Sequence, residues 1–201
     1  GAAAHRLVNY WTMGLLLFGG GAEFQRKKAA TLKDDMEEDC YELLRCGHVR
    51  LMPKPDAFGR AVLVYRPMNP TGRDAGSEEE CANKYIKAMW YVCHAALEHA
   101  SARENGLVVV AHRTEHRPVE NSIQRRAALA ALNCLPIRIR AFHVLIRPSH
   151  SFVAVRNVIC RALSLWFRRR IAVHGGDTME ENSTRLEEEF GIQRDNLPTD
   201  L

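Results

Sequence analysis

Two sets of residues in this 201-residue chain have types and spacings that could do chemistry. The first is His112-Arg-Thr-Glu115-His116, an H-x-x-E-H arrangement. In one class of zinc hydrolases that pattern supplies two imidazole ligands and a carboxylate base. The chemistry needs both histidines on one helical face, one turn apart. Here the motif follows the β-branched run Val108-Val-Val-Ala111 and is closed by Pro118. It reads as a strand end running into a loop, so a zinc hydrolase is the weakest expectation.

The second set is arginine. Residues 121–176 contain no Asp or Glu, yet hold Arg125, Arg126, Arg138, Arg140, Arg147, Arg156, Arg161, Arg168, Arg169 and Arg170. A guanidinium fork matches phosphate oxygens. Arg138 and Arg140, two apart at a strand entry, are expected on one face. Arg168–Arg170 end an apolar helical segment, where cations also suit the helix dipole. Arg156 and Arg161 fall on the polar side of that segment.

The rest of the inventory is thin. No G-x-S-x-G, G-x-G-x-x-G or P-loop pattern occurs, and Gly19-Gly-Gly21 lacks the Lys-Ser/Thr that a P-loop requires. Ser149, His150 and Ser151 are sequence neighbours, which does not make a nucleophile–base pair. His143 in an apolar strand reads as a core or rim histidine. The six cysteines, at 40, 46, 81, 93, 134 and 160, form no C-x-x-C pair. They read as reduced, mostly buried thiols of a cytosolic protein. No catalytic residue, cofactor or metal is expected.

The elements that must position these residues follow from periodicity. Helices are expected over 3–18, 31–45, 77–103 (opened by a Ser77/Glu80 capping box), 119–134, 152–167 and 180–190. The apolar stripe of the third is Ile86, Met89, Trp90, Cys93, Leu97 and Ala100. Strands are expected over 49–52, 61–65, 107–111, 142–146 and 171–174. Strand–helix alternation implies βαβ crossovers and an α/β fold with a mixed, mostly parallel sheet. The segment 152–167 carries Phe152, Val155, Ile159, Leu163 and Trp166 along one stripe. It is either a core helix or a lid over an apolar cavity.

Several blocks together resemble the CRAL-TRIO lipid-binding domain family, in its tocopherol- and retinaldehyde-binding branch. They are Gly59-Arg-Ala-Val-Leu-Val-Tyr65, Tyr85-Ile-Lys-Ala-Met-Trp90, Pro136-Ile-Arg-Ile-Arg-Ala-Phe-His143, Phe152-Val-Ala-Val155, Arg170-Ile-Ala-Val-His-Gly175 and Leu197-Pro198. The resemblance implies an N-terminal helical region over 1–45 and a lipid-binding domain over 46–201. It implies a sheet flooring a hydrophobic pocket, covered by 152–167 as a gate helix, with no reaction performed. The implied pocket residues are Met89, Trp90, Cys93, Phe142, Val144, Val155, Val158, Ile159 and Leu163. The implied phosphoinositide-binding residues are Arg138, Arg140, Arg168 and Arg170. Three departures stand out. Ile146-Arg-Pro148 replaces the usual Asn-Glu-Pro. Cys160-Arg-Ala-Leu163 replaces Lys-Pro-Phe-Leu in the gate. Ile137 stands where inositol-lipid-transfer members carry Glu.

The expected function is binding and intermembrane transfer of a small lipophilic molecule by a cytoplasmic protein that docks transiently on anionic membranes. The alternative is a nucleic-acid-binding α/β domain using the arginine surface. It fits the charge, but the aromatics of that region lie on the apolar stripe rather than between the arginines, where stacking would need them. Nucleic acid is therefore not an expected partner. The identity of the lipid and the oligomeric state do not follow from the sequence.

Overall fold

A computed structural model of the chain describes residues 2–18, 38–66, 78–113, 137–146, 171–176 and 178–198. The described elements are α1 (Ala2–Phe18), α2 (Glu38–Arg45), β1 (Val49–Leu51), β2 (Ala61–Tyr65), α3 (Glu78–Ala96), α4 (Ala100–Asn105), β3 (Leu107–Arg113), β4 (Ile139–Ile146), β5 (Ile171–His174) and α5 (Met179–Phe190). A 3₁₀ turn, Arg194–Asn196, follows α5. The chain divides into two compact units. The first contains α1, α2 and α3; the second contains β2 to β5 with α4, α5 and the 3₁₀ turn. The expected helix over 119–134 lies outside the described residues, as does 152–167.

In the first unit α3 packs against both α1 and α2. Its buried residues Tyr85, Ala88, Met89, Val92, Cys93 and Ala96 recur every three or four positions, the spacing of one helical face. Trp90 is buried beside them. Its ring stacks on Tyr10 of α1 at 5.2 Å and on His94 at 5.0 Å, and Phe18 lies 5.1 Å away. The Tyr10 hydroxyl is hydrogen-bonded to Nδ1 of His94, and burial pushes that phenol up and that imidazole down, with Glu98 opposing the latter. Two expectations are corrected here. Tyr85 rather than Ile86 is fully buried, and the helix does not run to Arg103. It stops at Ala96, where Leu97, Glu98 and His99 donate to carbonyls three residues back, a tightened last turn with no Gly or Pro to announce it. Cys40 and Cys93 are buried, whereas Cys46 is exposed and its thiol is pushed up by its hydrogen bond to Glu42.

The sheet is mixed and mostly parallel, in the order β1-β2-β3-β4-β5. The pairs β2–β3, β3–β4 and β4–β5 are all parallel. Parallel strands are normally buried on both faces, and this explains the unbroken apolar runs of β2 and β3. Register sorts the side chains, because paired residues of parallel strands point the same way. One face carries Val62–Val108–Ala141, then Val64–Val110–His143–Ala172, then His112–Leu145–His174. The opposite face carries Ala61–Leu107–Ile139, then Leu63–Val109–Phe142–Ile171, then Tyr65–Ala111–Val144–Val173.

Helix α5 closes the first of these faces. Leu186, Phe190, Ile192 and Leu197 pack on Val62, Val64, Val108, Val110 and Leu145. Thr178 opens α5 by accepting the Glu181 N–H at 3.1 Å, with Glu180 and Glu181 in the positive first turn. Gly191, at φ 70°, ends it: Gly191 N–H donates to Glu187 and Ile192 N–H to Leu186, a Schellman closure. A β-carbon at Gly191 would lie 2.8 Å from that of Ala57.

The β1–β2 connection is organised by Asp56, whose carboxylate is fully buried. It accepts from Phe58 N–H at 3.0 Å, Arg60 N–H at 2.8 Å and Arg60 Nε at 2.5 Å. Arg60 also donates to the Phe190 carbonyl, 3.2 Å away, at the negative end of α5. Asn196 completes the seam through both its amide atoms, bonded to the backbone of Lys54. Removing one partner of a buried pair strands the other, so Asp56→Ala is expected to destabilise the protein by about 3 kcal/mol. Urea unfolding checks this as a lower midpoint with an unchanged m value.

Candidate functional site

The site expected from sequence divides over the described residues as follows. Met89, Trp90 and Cys93 are core residues of the first unit. Phe142 and Val144 belong to β4 in the second, as do Arg138 and Arg140 at its entry. Val155, Val158, Ile159, Leu163, Arg168 and Arg170 lie outside the described residues.

Phe142 and Val144 sit on the face turned away from α5, while His143 and Leu145 face α5. That turned-away face is a layered apolar surface. Leu63, Val109 and Val144 on it are buried, and Phe142, Ile171 and Val173 are half-buried. None of its three layers carries an ionisable side chain apart from the Tyr65 phenol. A surface of this kind can hold an apolar molecule.

The amino edge of the sheet is built differently. Gly106 reverses the chain between α4 and β3 at φ 89°. A β-carbon there would collide with the Arg138 carbonyl, which accepts the Leu107 N–H at 2.8 Å. Arg140 Nε donates to the Asn105 carbonyl at 2.9 Å, capping the C-terminus of α4, and Asn105 Nδ2 reaches the Gly59 carbonyl at 3.2 Å. Arg138 and Arg140 are both exposed, on either side of buried Ile139. A register shift at Leu107/Val108 inserts an extra residue into β4, so that Leu107 pairs with Ile139 and Val108 with Ala141. Regular alternation back from Phe142 would turn Arg140 onto the apolar face. The bulge places Ile139 there instead and leaves the guanidinium at the rim. Ile171, the residue that follows Arg170 in the chain, pairs with Phe142 next to this rim.

The histidines take the other face. His112 lies within β3, which extends past the expected end at Ala111 to Arg113, and it is buried. Glu115 and His116 lie outside the described residues. Among the described residues no three His, Cys, Asp or Glu side chains are placed to hold a metal ion. The pair that sequence reasoning missed is His143 and His174. His143 Nδ1 and His174 Nε2 are 2.9 Å apart, and both rings meet the edge of Phe190, at 4.5 and 5.2 Å. Two neutral imidazoles share one proton in this bond. His143 Nε2 is buried with no hydrogen-bond partner among the described residues. Burial, then the His174 ring, then Arg60 push the His143 imidazole down to about 3. His174 is also lowered, by burial and Arg185, with Glu189 opposing. Under Phe190 the pair is structural. No sequence signal marks it, because it depends on the β4–β5 register.

The pair sets an acid limit. A histidine held below its unfolded value of 6.5 stabilises the fold fully above that pH. As pH falls below 6.5 the unfolded chain binds the proton first. Stability then drops by up to about 1.4 kcal/mol per pH unit for His143. His143→Gln, which can still bond His174 but does not titrate, is expected to flatten the loss of stability between pH 7 and pH 5. Thermal melts of both proteins across that range check it.

Compared with protein-family profiles and with curated proteins, the chain gives no match.

Proposed function

We propose that this protein binds one lipophilic molecule in an apolar pocket and carries it between anionic membranes. The floor of the pocket is the sheet face of Leu63, Val109, Phe142, Val144 and Ile171. The gate is 152–167, whose Val155, Val158, Ile159 and Leu163 line the other side. Arg138, Arg140, Arg168 and Arg170 grip phosphoinositide headgroups at the rim.

One observation carries this reading: among the described residues the face of the sheet away from α5 is apolar through three layers, with the Tyr65 phenol as its single ionisable group. Two further facts support it. The bulge keeps the Arg140 charge at the rim, as a pocket with a polar mouth requires. The blocks that resemble the CRAL-TRIO family form β2, β4 and β5 of one sheet. The described parallel strands also keep sequential order, so they contain no reversal of the kind where nucleotides bind in doubly wound folds.

Mass spectrometry of an organic extract of the purified protein tests the pocket. The expected outcome is one lipophilic species in near-stoichiometric amount, reduced several-fold in Phe142→Trp, which fills space above the floor without adding charge. Protein that yields no lipid, even after incubation with vesicles, overturns the pocket. The rim is tested with Arg138→Gln combined with Arg168→Gln, which spares the Arg140 bond to Asn105. Each arginine near an anionic surface is worth about 1 kcal/mol, so binding to phosphoinositide vesicles is expected to weaken at least tenfold and to lose salt dependence. Unchanged sedimentation with such vesicles would remove the arginines from the membrane contact.

A further inference from the structure

Helix α1 is apolar on both of its sides. Its inward side carries Tyr10, stacked on Trp90, together with Gly14 and the half-buried Met13 and Leu17. Its outward side is not covered: Leu7 is 48% exposed, Val8 62%, Trp11 47% and Leu16 75%. At 100° per residue the exposed Leu7, Trp11, Ala4, Val8, Thr12, His5 and Leu16 span about half of the circumference, with Leu7 and Leu16 at its two limits and the half-buried Phe18 and Leu15 among them. These four large side chains are most of the exposed large hydrophobics among the described residues.

We infer that this outward face of α1 is a second membrane contact, lying flat in the headgroup region of an anionic bilayer. Three facts favour a bilayer over a protein. The first is area. The four side chains present roughly 400 Å², about half of what one partner contributes to a stable protein interface. A bilayer sets no such minimum. The second is charge. The helix has no Asp or Glu, so no acid on it opposes an anionic surface, and the exposed face provides none of the charge pairs that orient a protein partner. The third is composition: Trp11 stands amid aliphatic residues, the arrangement suited to the polar–apolar boundary of a membrane. No helix among the described residues is long and apolar enough to cross a membrane, so the helix lies in the interface.

The contact is independent of the pocket and of the arginine rim, and the experiment separates them. The full chain is mixed with phosphatidylcholine vesicles containing phosphatidylserine but no phosphoinositide. Part of the acyl chains are brominated, so that tryptophan emission is quenched where the ring reaches them. Val8→Gln with Trp11→Gln and Leu16→Gln changes only exposed positions. It is expected to weaken flotation with these vesicles at least tenfold. Trp11→Phe is expected to keep flotation and lose part of the quenching. Arg138→Gln with Arg168→Gln is expected to keep the quenching. Flotation unaffected by the triple variant overturns the proposal. So does quenching that Trp11→Phe leaves unchanged. A protein that is dimeric by light scattering, and made monomeric by the triple variant, overturns it in favour of a second copy. Loss of flotation in the arginine variant alone leaves the rim standing and removes α1.

Discussion

The structure depends on one constraint: a parallel sheet needs apolar cover on both faces. The four parallel strands each turn side chains to two sides, and both sides are largely apolar, the α5 side also holding the buried His112, His143 and His174. On one side α5 and the residues after it supply the cover from the protein itself. On the other side lie Phe142 and Val144, and the same requirement holds there. On that side too Leu63, Leu107, Val109 and Val144 are buried within the chain itself.

Polar groups are admitted only where they are fully engaged or kept at an edge. Asp56 is buried and accepts three hydrogen bonds, and its partner Arg60 also closes α5. Asn182 is buried and accepts the Gly176 N–H at 2.8 Å, fixing the turn between β5 and α5. His143 and His174 are tolerated beneath Phe190 by remaining neutral. Arg138 and Arg140 stay at the rim, the latter because a bulge intervenes. This sorting leaves one face of the sheet free of charge and concentrates cations at its amino edge.

Much of this was legible in the residues. The strands at 61–65 and 171–174 have the bounds that their apolar runs suggest, because Pro, Gly and charged residues flank them. The facing of Phe142 and Val144 away from His143 and Leu145 followed from alternation alone. The helix expected over 180–190 is α5, Met179–Phe190, although its Thr178 cap and Gly191 stop were not read from the sequence. Other features were not legible, for physical reasons. The break at Leu97–His99 involves no helix breaker; it is a local tightening of hydrogen bonds. The bulge at Arg140 is a property of two strands together. The His143–His174 pair needs the β4–β5 register, which is tertiary. Tyr85 replaces Ile86 in the core because the face of α3 is rotated towards α1 and α2. The expected gate, 152–167, and Arg168 and Arg170 lie outside the described residues.

The seam between the β1–β2 connection and residues 190–197 has a consequence for biosynthesis. Asp56, Arg60 and Lys54 are made early, while Phe190, Gly191 and Asn196 are made about 130 residues later. Until the latter emerge, the Val62–Val108–Leu145 face has no lid. A ribosome-bound chain that has released β2 to β4 but not yet α5 thus displays an uncovered parallel sheet face, a species prone to sticking to its neighbours. The segment that follows β5 is therefore the step that converts an adhesive intermediate into a finished unit.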